Sequence, residues 1–299
     1  MGFYDLCGNA ESRFGSVGLA LMSPVTEIEA SISDEFSIVG DIDAKSSEKI
    51  AKSMQLLQKS LNLQTSLALN LKHKIPNHVG FGSGTQFALS LAALFNLAYD
   101  LQLNPAQISQ LSGRGARSGI GLGAFFQGGF LVDSGKEADA LPEIALRHAF
   151  PKDWRIILVS DAAYIGVHGE HELNAFQTLK PMQNSLKGMV FERMAPALER
   201  LDLLAFGAYM DDLQAYNGAY FAPMQGGLYA SKKVENALTW LKQNGVACVG
   251  QSSWGPTGFA IVENAEKAIF YLKALKKLNT DLSFTVTQGY NQGVQIKAA

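Results

Sequence analysis

Apolar positions recur along the chain at the two spacings that distinguish helices from strands. Over residues 46–61 they fall three or four residues apart, at Ile50, Met54 and Leu57, which predicts a helix with one buried face. A serine at the start of that run suits a helix N-cap. Residues 26–30 instead alternate apolar and polar side chains, which predicts a half-buried strand.

The same criteria predict further helices and strands along the whole sequence. The helices are predicted at residues 84–100, 105–111, 185–201, 202–220, 231–244 and 265–278, and the strands at 18–21, 36–39, 67–72, 154–160, 246–249, 259–262 and 282–287. Residues 134–149 form the most polar and least periodic connection. We place a domain boundary there, between predicted domains of residues 1–145 and 146–299.

The composition indicates a folded protein with a sizeable core. Of 299 residues, 47% are hydrophobic and 17% are charged. The net charge of −2 provides no basic field for nucleic acid, so local arginines and backbone N–H groups must bind any anionic ligand.

Cys7 and Cys248 lack the spacing of a redox or zinc motif, which suggests buried free thiols. We find no run of 18 apolar residues and no signal peptide, and we expect a soluble cytoplasmic protein without membrane contact.

A Gly/Ser loop that leads directly into an apolar helix is the first candidate for chemistry. Gly80, Gly82 and Gly84 allow a tight turn and a close approach to a ligand, while Ser83 and Thr85 add hydroxyl groups. The following helix directs its free N–H groups and its positive dipole end at the loop. We therefore predict a phosphate or pyrophosphate site on this loop. The alternative is a simple glycine turn before a buried helix.

Two further Gly-rich loops carry hydroxyl residues, over residues 112–123 and 250–258, and the first continues into Gly128 and Gly129. The first of them contains Arg114 and Arg117, whose guanidinium groups suit a phosphate or a carboxylate. Ion pairing at the surface is the alternative role for these arginines. Three such loops indicate one phosphate-bearing ligand more strongly than a single loop does.

The three loops resemble the motifs of the GHMP kinase superfamily. P-x-x-x-G-F-G-S-G, from residue 76, is similar to the second motif, which binds nucleotide phosphates, and the loop at 250–258 corresponds to the third. G-x-x-S-G-I-G, from residue 115, is similar to the segment that usually carries a catalytic aspartate. Here Gly121 stands in place of that aspartate, and glycine cannot orient or deprotonate a hydroxyl group. The resemblance implies a phosphate-binding scaffold without the kinase base.

One branch of the superfamily, the β-ribofuranosylaminobenzene 5′-phosphate synthases, resembles the chain over nearly its whole length. The motifs include R-F-G-S-V-G-L-A-L from residue 13, G-R-G-A-R-S-G-I-G from residue 113 and G-Q-S-S-W-G-P-T from residue 250. That family also has a strand ahead of the position of Gly2, which this sequence does not contain.

The resemblance implies a reaction and a fold. The family joins phosphoribosyl pyrophosphate to 4-aminobenzoate or 4-hydroxybenzoate and releases pyrophosphate and CO2, an early step of tetrahydromethanopterin synthesis. It implies no organic cofactor. The implied fold is α+β with two domains and a ligand cleft between them.

Residue roles follow from the resemblance and from side-chain chemistry. Arg114, Arg117 and Glu170 are the predicted catalytic residues. Residues predicted to bind the phosphates or the aromatic acid are Arg13, Ser16, Gly82, Ser83, Gly84, Thr85, Ser118, Ser252, Ser253, Trp254 and Gly255. Trp254 could stack on a planar benzoate or belong to the core, and Ser118 could bind phosphate or cap the next turn. Asp5 and Asp133 are weaker candidates for an acid.

Glu170 is also the predicted ligand of a magnesium ion that bridges pyrophosphate oxygens, with His168 and Glu172 close by in sequence. The alternative is a helix N-terminus with acidic residues stabilised by the helix dipole. Apolar helices over residues 185–244 favour a homodimer. Two rival functions stay open: an ATP-dependent small-molecule kinase, and a non-catalytic protein that binds phosphoribosyl pyrophosphate.

Overall fold

The computed structural model describes residues 1–7, 14–40, 42–115, 118–135, 142–164, 176, 178–278 and 281–297. The chain forms two compact units. The larger unit contains Met1–Ser23, Asn77–Phe81 and Ala116–Ala299, and the inserted unit contains Pro24–Pro76 and Gly82–Gly115. The domain boundary predicted after residue 145 is a different kind of division from these compact units. It stays a prediction.

Helices and strands are interspersed along the chain in an α+β fold. The strands are β1 (Gly2–Phe3), β2 (Ser16–Leu19), β3 (Glu27–Ser33), β4 (Ser37–Gly40), β5 (Ser66–His73), β6 (Phe130–Asp133), β7 (Ile144–His148), β8 (Arg155–Ser160), β9 (Cys248–Gln251), β10 (Gly258–Val262) and β11 (Ser283–Thr287). The helices are α1 (Ala44–Ser60), α2 (Ser83–Ala98), α3 (Pro105–Ser112), α4 (Ile120–Phe126), α5 (Lys187–Met189), α6 (Ala195–Glu199), α7 (Leu203–Gln225), α8 (Lys232–Gln243) and α9 (Ala265–Leu278), with a π-helix at Val190–Met194. Among the helices that the structure describes, none has the length and apolar character needed to cross a bilayer.

Two antiparallel four-stranded sheets form the framework of the larger unit, in the strand orders β1-β2-β6-β7 and β11-β8-β10-β9. In the first sheet Val17 pairs with Val132, and this register brings the end of β2 at Ser16 next to Asp133. The inserted unit has its own three-stranded sheet, β3-β5-β4, in which β4 runs parallel to β5.

Each unit buries its own apolar side chains. In the larger unit, one cluster joins both sheets to α7 through residues such as Phe130, Phe206 and Met210, and another packs α8 and α9 against β8 and β10. In the inserted unit, Met54 of α1 and Phe95 of α2 are fully buried against β5. The buried face predicted for residues 46–61 is therefore confirmed.

Helix α7 carries two buried amide side chains that pair with strand backbone. Asn217 accepts a hydrogen bond from the Phe3 N–H at 2.8 Å and donates one to the Phe3 carbonyl oxygen at 2.8 Å. Gln214 accepts from the Gln251 N–H at 2.8 Å and donates to the Gln251 carbonyl oxygen at 3.3 Å. Because β1 and β9 lie at the edges of their sheets, these bonds satisfy backbone groups that strand pairing leaves free.

Two segments differ in kind from their predictions. Ile144–His148, predicted as part of a polar connection, forms β7 and pairs with β6; the predicted boundary after residue 145 lies inside this strand. As an edge strand with half-buried and exposed positions, β7 has too weak an apolar pattern to be recognised.

Ile120–Phe126, predicted as part of a Gly-rich loop, forms α4. Its Gly123 allows close packing, since a Cβ there would lie 2.6 Å from Ile144.

Candidate functional site

The first Gly-rich loop ends in the N-terminus of α2, as predicted. Gly82 is the N-cap in the left-handed conformation, with φ 65°, and its carbonyl accepts from the N–H groups of Thr85 and Gln86, both at 3.0 Å. Among the described residues, the Gly82 cap makes no side-chain hydrogen bond to the helix. A Cβ at Gly82 would meet nothing within 4 Å. The positive end of this 16-residue helix therefore begins at an open, uncapped turn.

The inserted unit brings Arg114 to this turn. Helix α3 ends at Gly113 in the left-handed conformation, and the Arg114 N–H then donates to the Ser112 hydroxyl group at 3.2 Å. The exposed guanidinium group lies against α2, because a Cβ built on Gly84 would be 3.7 Å from Arg114 Nη2. Two residues predicted from separate motifs, Gly84 and Arg114, are thus neighbours. The Arg114 cation therefore lies beside a helix N-terminus.

The third Gly-rich loop contacts the start of the second motif within the larger unit. The Ser252 hydroxyl group donates to the Gly80 carbonyl oxygen at 2.7 Å, and the Gly255 N–H donates to the Ser252 carbonyl oxygen at 3.0 Å. A Cβ on Gly255 would lie 2.6 Å from Gly80 Cα, so the two backbones touch. Ser253 adopts a left-handed φ of 53°, which a serine rarely adopts. The second and third motifs are therefore in contact at Gly80, Ser252 and Gly255, while a shared phosphate-bearing ligand stays a prediction.

A buried glutamine supports the root of the third loop. Besides its backbone pairing with Gln214, Gln251 accepts from the Ala230 N–H at 2.6 Å through its side-chain oxygen, and its side-chain nitrogen donates to the Ser253 carbonyl oxygen at 3.1 Å. This role was not predicted, because a glutamine at the end of a short strand has no distinctive sequence pattern.

Trp254 lies in an aromatic cluster of the larger unit. Its side chain is 5% exposed and stacks on Phe221 with ring centroids 4.6 Å apart. Phe176 meets it edge-on at 5.9 Å. The indole N–H has no hydrogen-bond partner among the described residues. One face of the indole is therefore covered by Phe221, and the role of Trp254 toward an aromatic ligand stays a prediction.

Ser16 and Ser118 meet at a buried carboxylate. Both hydroxyl groups donate to Asp133 Oδ2, at 2.6 Å and 2.9 Å, and the two hydroxyl oxygens lie 2.7 Å apart. Burial raises the pKa of Asp133, and hydrogen bonds from Ser16, Ser118 and the Gly119 N–H oppose that rise. The predicted roles of these serines toward phosphate stay predictions, while their contact with Asp133 is a finding that the sequence did not supply.

Three predicted residues, Arg13, Arg117 and Glu170, lie outside the part of the chain that the structure describes. Within the described part, no group of three or more His, Cys, Asp or Glu side chains could hold a metal ion. Magnesium therefore stays a prediction, and no step below is routed through it. Burial raises the pKa of the Cys7 and Cys248 thiols, which favours the protonated form of both.

Comparisons with known proteins agree with this architecture. The family model for the GHMP kinases N terminal domain matches residues 48–129, and the model for GHMP kinases C terminal matches residues 194–279. A mevalonate diphosphate decarboxylase from Staphylococcus aureus has a TM-score of 0.70 at 17% identity, covering 100% of this chain and 95% of that one. This structural likeness shows the shared fold alone.

Two curated relatives are similar over most of their length. The β-ribofuranosylphenol 5′-phosphate synthase of Methanocaldococcus jannaschii is 32% identical over 290 residues, which cover 87% of this chain and 86% of the relative. The synthase of the same name from Methanothermobacter thermautotrophicus is 26% identical over 312 residues, covering 97% and 93% respectively. The chain therefore belongs to the β-ribofuranosylphenol 5′-phosphate synthase family, a family of enzymes within the GHMP kinase superfamily.

Proposed function

We propose that this enzyme joins phosphoribosyl pyrophosphate to a 4-substituted benzoate and releases pyrophosphate and CO2. The observation that carries the proposal is the Arg114 guanidinium group beside the open first turn of α2. A cation at the positive end of a long helix suits a highly charged leaving group, because both stabilise negative charge. The names of the relatives support a product that carries a ribose phosphate.

The names also favour one acid. A β-ribofuranosylphenol keeps a hydroxyl group on its ring, so the aromatic substrate that leads to it is 4-hydroxybenzoate. We propose this acid as the preferred substrate and 4-aminobenzoate as the alternative. The planar ring would be bound next to the third Gly-rich loop, with Trp254 as the candidate contact.

The reaction needs charge stabilisation more than proton transfer. The bond between the anomeric carbon and pyrophosphate breaks, and its electron pair leaves with pyrophosphate. The ring carbon that bears the carboxylate supplies the electrons of the new carbon–carbon bond. The bond to the carboxylate then breaks, and its electron pair restores the aromatic ring as CO2 leaves. No proton is transferred to a base, which is consistent with Gly121 at the position of the kinase aspartate.

We assign the binding roles accordingly. The backbone N–H groups from Gly82 to Thr85, the Ser83 hydroxyl group and Arg114 bind the pyrophosphate group. Arg13, Ser16, Arg117, Ser118 and the loop from Ser252 to Gly255 bind the 5′-phosphate or the benzoate carboxylate. The exposed position of Arg114 and the open turn at Gly82 support the first assignment.

Further proposals concern the setting of the reaction. Magnesium would accompany phosphoribosyl pyrophosphate, with Glu170 as a ligand, because Mg²⁺ is bound in proteins by a few carboxylates together with substrate phosphates. We also propose a cytoplasmic homodimer that acts early in tetrahydromethanopterin synthesis.

The test uses 4-hydroxybenzoate and 4-aminobenzoate labelled in the carboxyl group. Each acid is incubated with the enzyme, phosphoribosyl pyrophosphate and Mg²⁺, without ATP, and the released CO2 is trapped. We expect labelled CO2 only when phosphoribosyl pyrophosphate is present, and faster release from the hydroxy acid. Arg114→Ala should lower release strongly, while Arg200→Ala, which removes another exposed arginine, should not.

The alternatives give different results in the same assay. Binding of phosphoribosyl pyrophosphate without CO2 release from either acid would refute the synthase proposal and favour a binding protein. Transfer of phosphate from ATP to a small alcohol would instead favour the kinase.

A further inference from the structure

Asp133 is a buried carboxylate that collects donors from separate parts of the larger unit. Its side chain is fully buried at the end of β6. Oδ1 accepts from the Ser16 N–H at 2.8 Å and the Gly135 N–H at 3.1 Å. Oδ2 accepts from the Ser16 hydroxyl at 2.6 Å, the Ser118 hydroxyl at 2.9 Å and the Gly119 N–H at 2.7 Å. The carboxylate therefore connects the start of β2 to the residues that precede α4.

The backbone around Asp133 is fixed on its other side as well. The Tyr4 hydroxyl group donates to the Asp133 carbonyl oxygen at 2.7 Å. A Cβ on Gly119 would lie 2.7 Å from the Pro142 carbonyl oxygen, so this glycine lets the chain pass close enough for its N–H to reach the carboxylate. The Ile120 N–H donates to the Ser118 hydroxyl oxygen at 3.2 Å, which carries the constraint into the first turn of α4.

We propose that Asp133 is a positioning residue for the synthase reaction, which holds the segment of Ser118 and Gly119. The inference rests on the proposed function, because that function assigns Ser118 to anion binding. Asp133 itself is fully buried and acts through this segment rather than on the substrate.

Asparagine at position 133 has nearly the same size as aspartate, but it replaces one of the two acceptor oxygens with an NH2 group that donates hydrogen bonds. With its nitrogen at the Oδ2 position, the amide could donate hydrogen bonds to the two serine oxygens once the serine hydroxyl groups have rotated. The same nitrogen would then face the Gly119 N–H, which is also a donor. With its nitrogen at the Oδ1 position, it would face the N–H groups of Ser16 and Gly135. Either orientation opposes donor to donor, and the first displaces Gly119 specifically.

The test combines local hydrogen exchange with steady-state kinetics of Asp133→Asn. We expect faster amide exchange in peptides that cover residues 118–122, with peptides from β8 unchanged. Of the two anions assigned to Ser118, the inference takes the 5′-phosphate: KM for phosphoribosyl pyrophosphate should rise by about tenfold, while KM for the benzoate changes by less than about twofold.

Two control variants separate positioning from general destabilisation. Asp202→Asn changes the same groups at the N-cap of α7, where Asp202 accepts from the Ala205 N–H at 3.0 Å and asparagine caps equally well. Leu241→Ala creates a cavity in a separate core cluster of the larger unit. Neither should change KM for phosphoribosyl pyrophosphate. Should Asp133→Asn fail to fold, Ser118→Ala removes one donor to the carboxylate and should cause the same local exchange to a smaller degree. Only the exchange tests Asp133 in that variant, because Ser118 is itself assigned to anion binding.

The outcomes distinguish this inference from the proposed function. Unchanged exchange at residues 118–122 would overturn it, and so would faster exchange with an unchanged KM for phosphoribosyl pyrophosphate. If the wild-type enzyme binds phosphoribosyl pyrophosphate but releases no CO2, the proposed function fails. The role of Asp133 is then still tested by amide exchange at residues 118–122 and by the affinity of the variants for phosphoribosyl pyrophosphate.

Discussion

Replacing Gly255 by alanine tests whether the contact between two glycine loops matters for activity. The new Cβ would lie 2.6 Å from Gly80 Cα, 2.7 Å from Gly80 N and 2.8 Å from the Val79 carbonyl carbon, all of which are backbone atoms. An ordinary contact begins near 3.4 Å, so the loops must separate by roughly 0.8 Å. Gly255 does not have a positive φ, and the perturbation is therefore steric rather than conformational.

The size of the effect follows from this separation. Overpacking of this kind costs about 1–3 kcal/mol of folding free energy. A displacement of nearly 1 Å at a substrate-positioning loop reduces kcat/KM by about 100-fold. We expect both effects in Gly255→Ala, measured by urea unfolding and by CO2 release from labelled 4-hydroxybenzoate.

Gly227→Ala is the matched control, because a Cβ there meets only the Tyr229 carbonyl oxygen, at an ordinary 3.9 Å. It should keep both stability and kcat/KM near those of the wild type. Wild-type kcat/KM in Gly255→Ala, together with a loss of stability, would show that the loop contact is structural only. Wild-type values for both quantities would refute the reasoning from this contact.

Three further predictions concern the charged and aromatic groups. Arg114→Ala should raise KM for phosphoribosyl pyrophosphate, and it should change the free energy of unfolding by less than about 0.5 kcal/mol because the side chain is exposed. Arg114→Lys should restore part of the affinity. Equal KM values in the wild type and both variants would remove Arg114 from the site. Trp254→Phe should raise KM for the benzoate by about two- to tenfold if the indole contacts the ring, whereas Trp240→Phe should not; an unchanged KM would assign Trp254 to the core alone. Chelation by EDTA should abolish CO2 release, and added Mg²⁺ should restore it; activity that persists in EDTA would contradict the magnesium proposal.

The sequence predicted the elements whose pattern is local. The helix at 46–61 was recognisable from apolar residues on one face, and the loop before α2 from three glycines at alternate positions. Strand β7 was not recognisable, because it lies at a sheet edge and its pattern is weak. Helix α4 was hidden by glycines that serve close packing against Ile144 rather than a flexible loop.

Long-range contacts account for what the sequence could not predict at the site. Arg114 and Gly84 were each predicted, but their proximity depends on how α3 returns to α2. Asp133 appeared only as a weak acid candidate, because its five donors come from segments up to 117 residues away in the chain. The burial of Trp254 depends likewise on Phe221 of α7.

The two amide side chains of α7 also have a consequence for how the protein behaves while it folds. An exposed sheet edge is a template on which a strand of another molecule can add, and this is a common route to aggregation. Asn217 and Gln214 occupy backbone groups of Phe3 and Gln251 at the edges of two different sheets. One helix thus blocks a position on each of the two templates, and this protection against intermolecular strand addition requires that α7 is packed against both sheets.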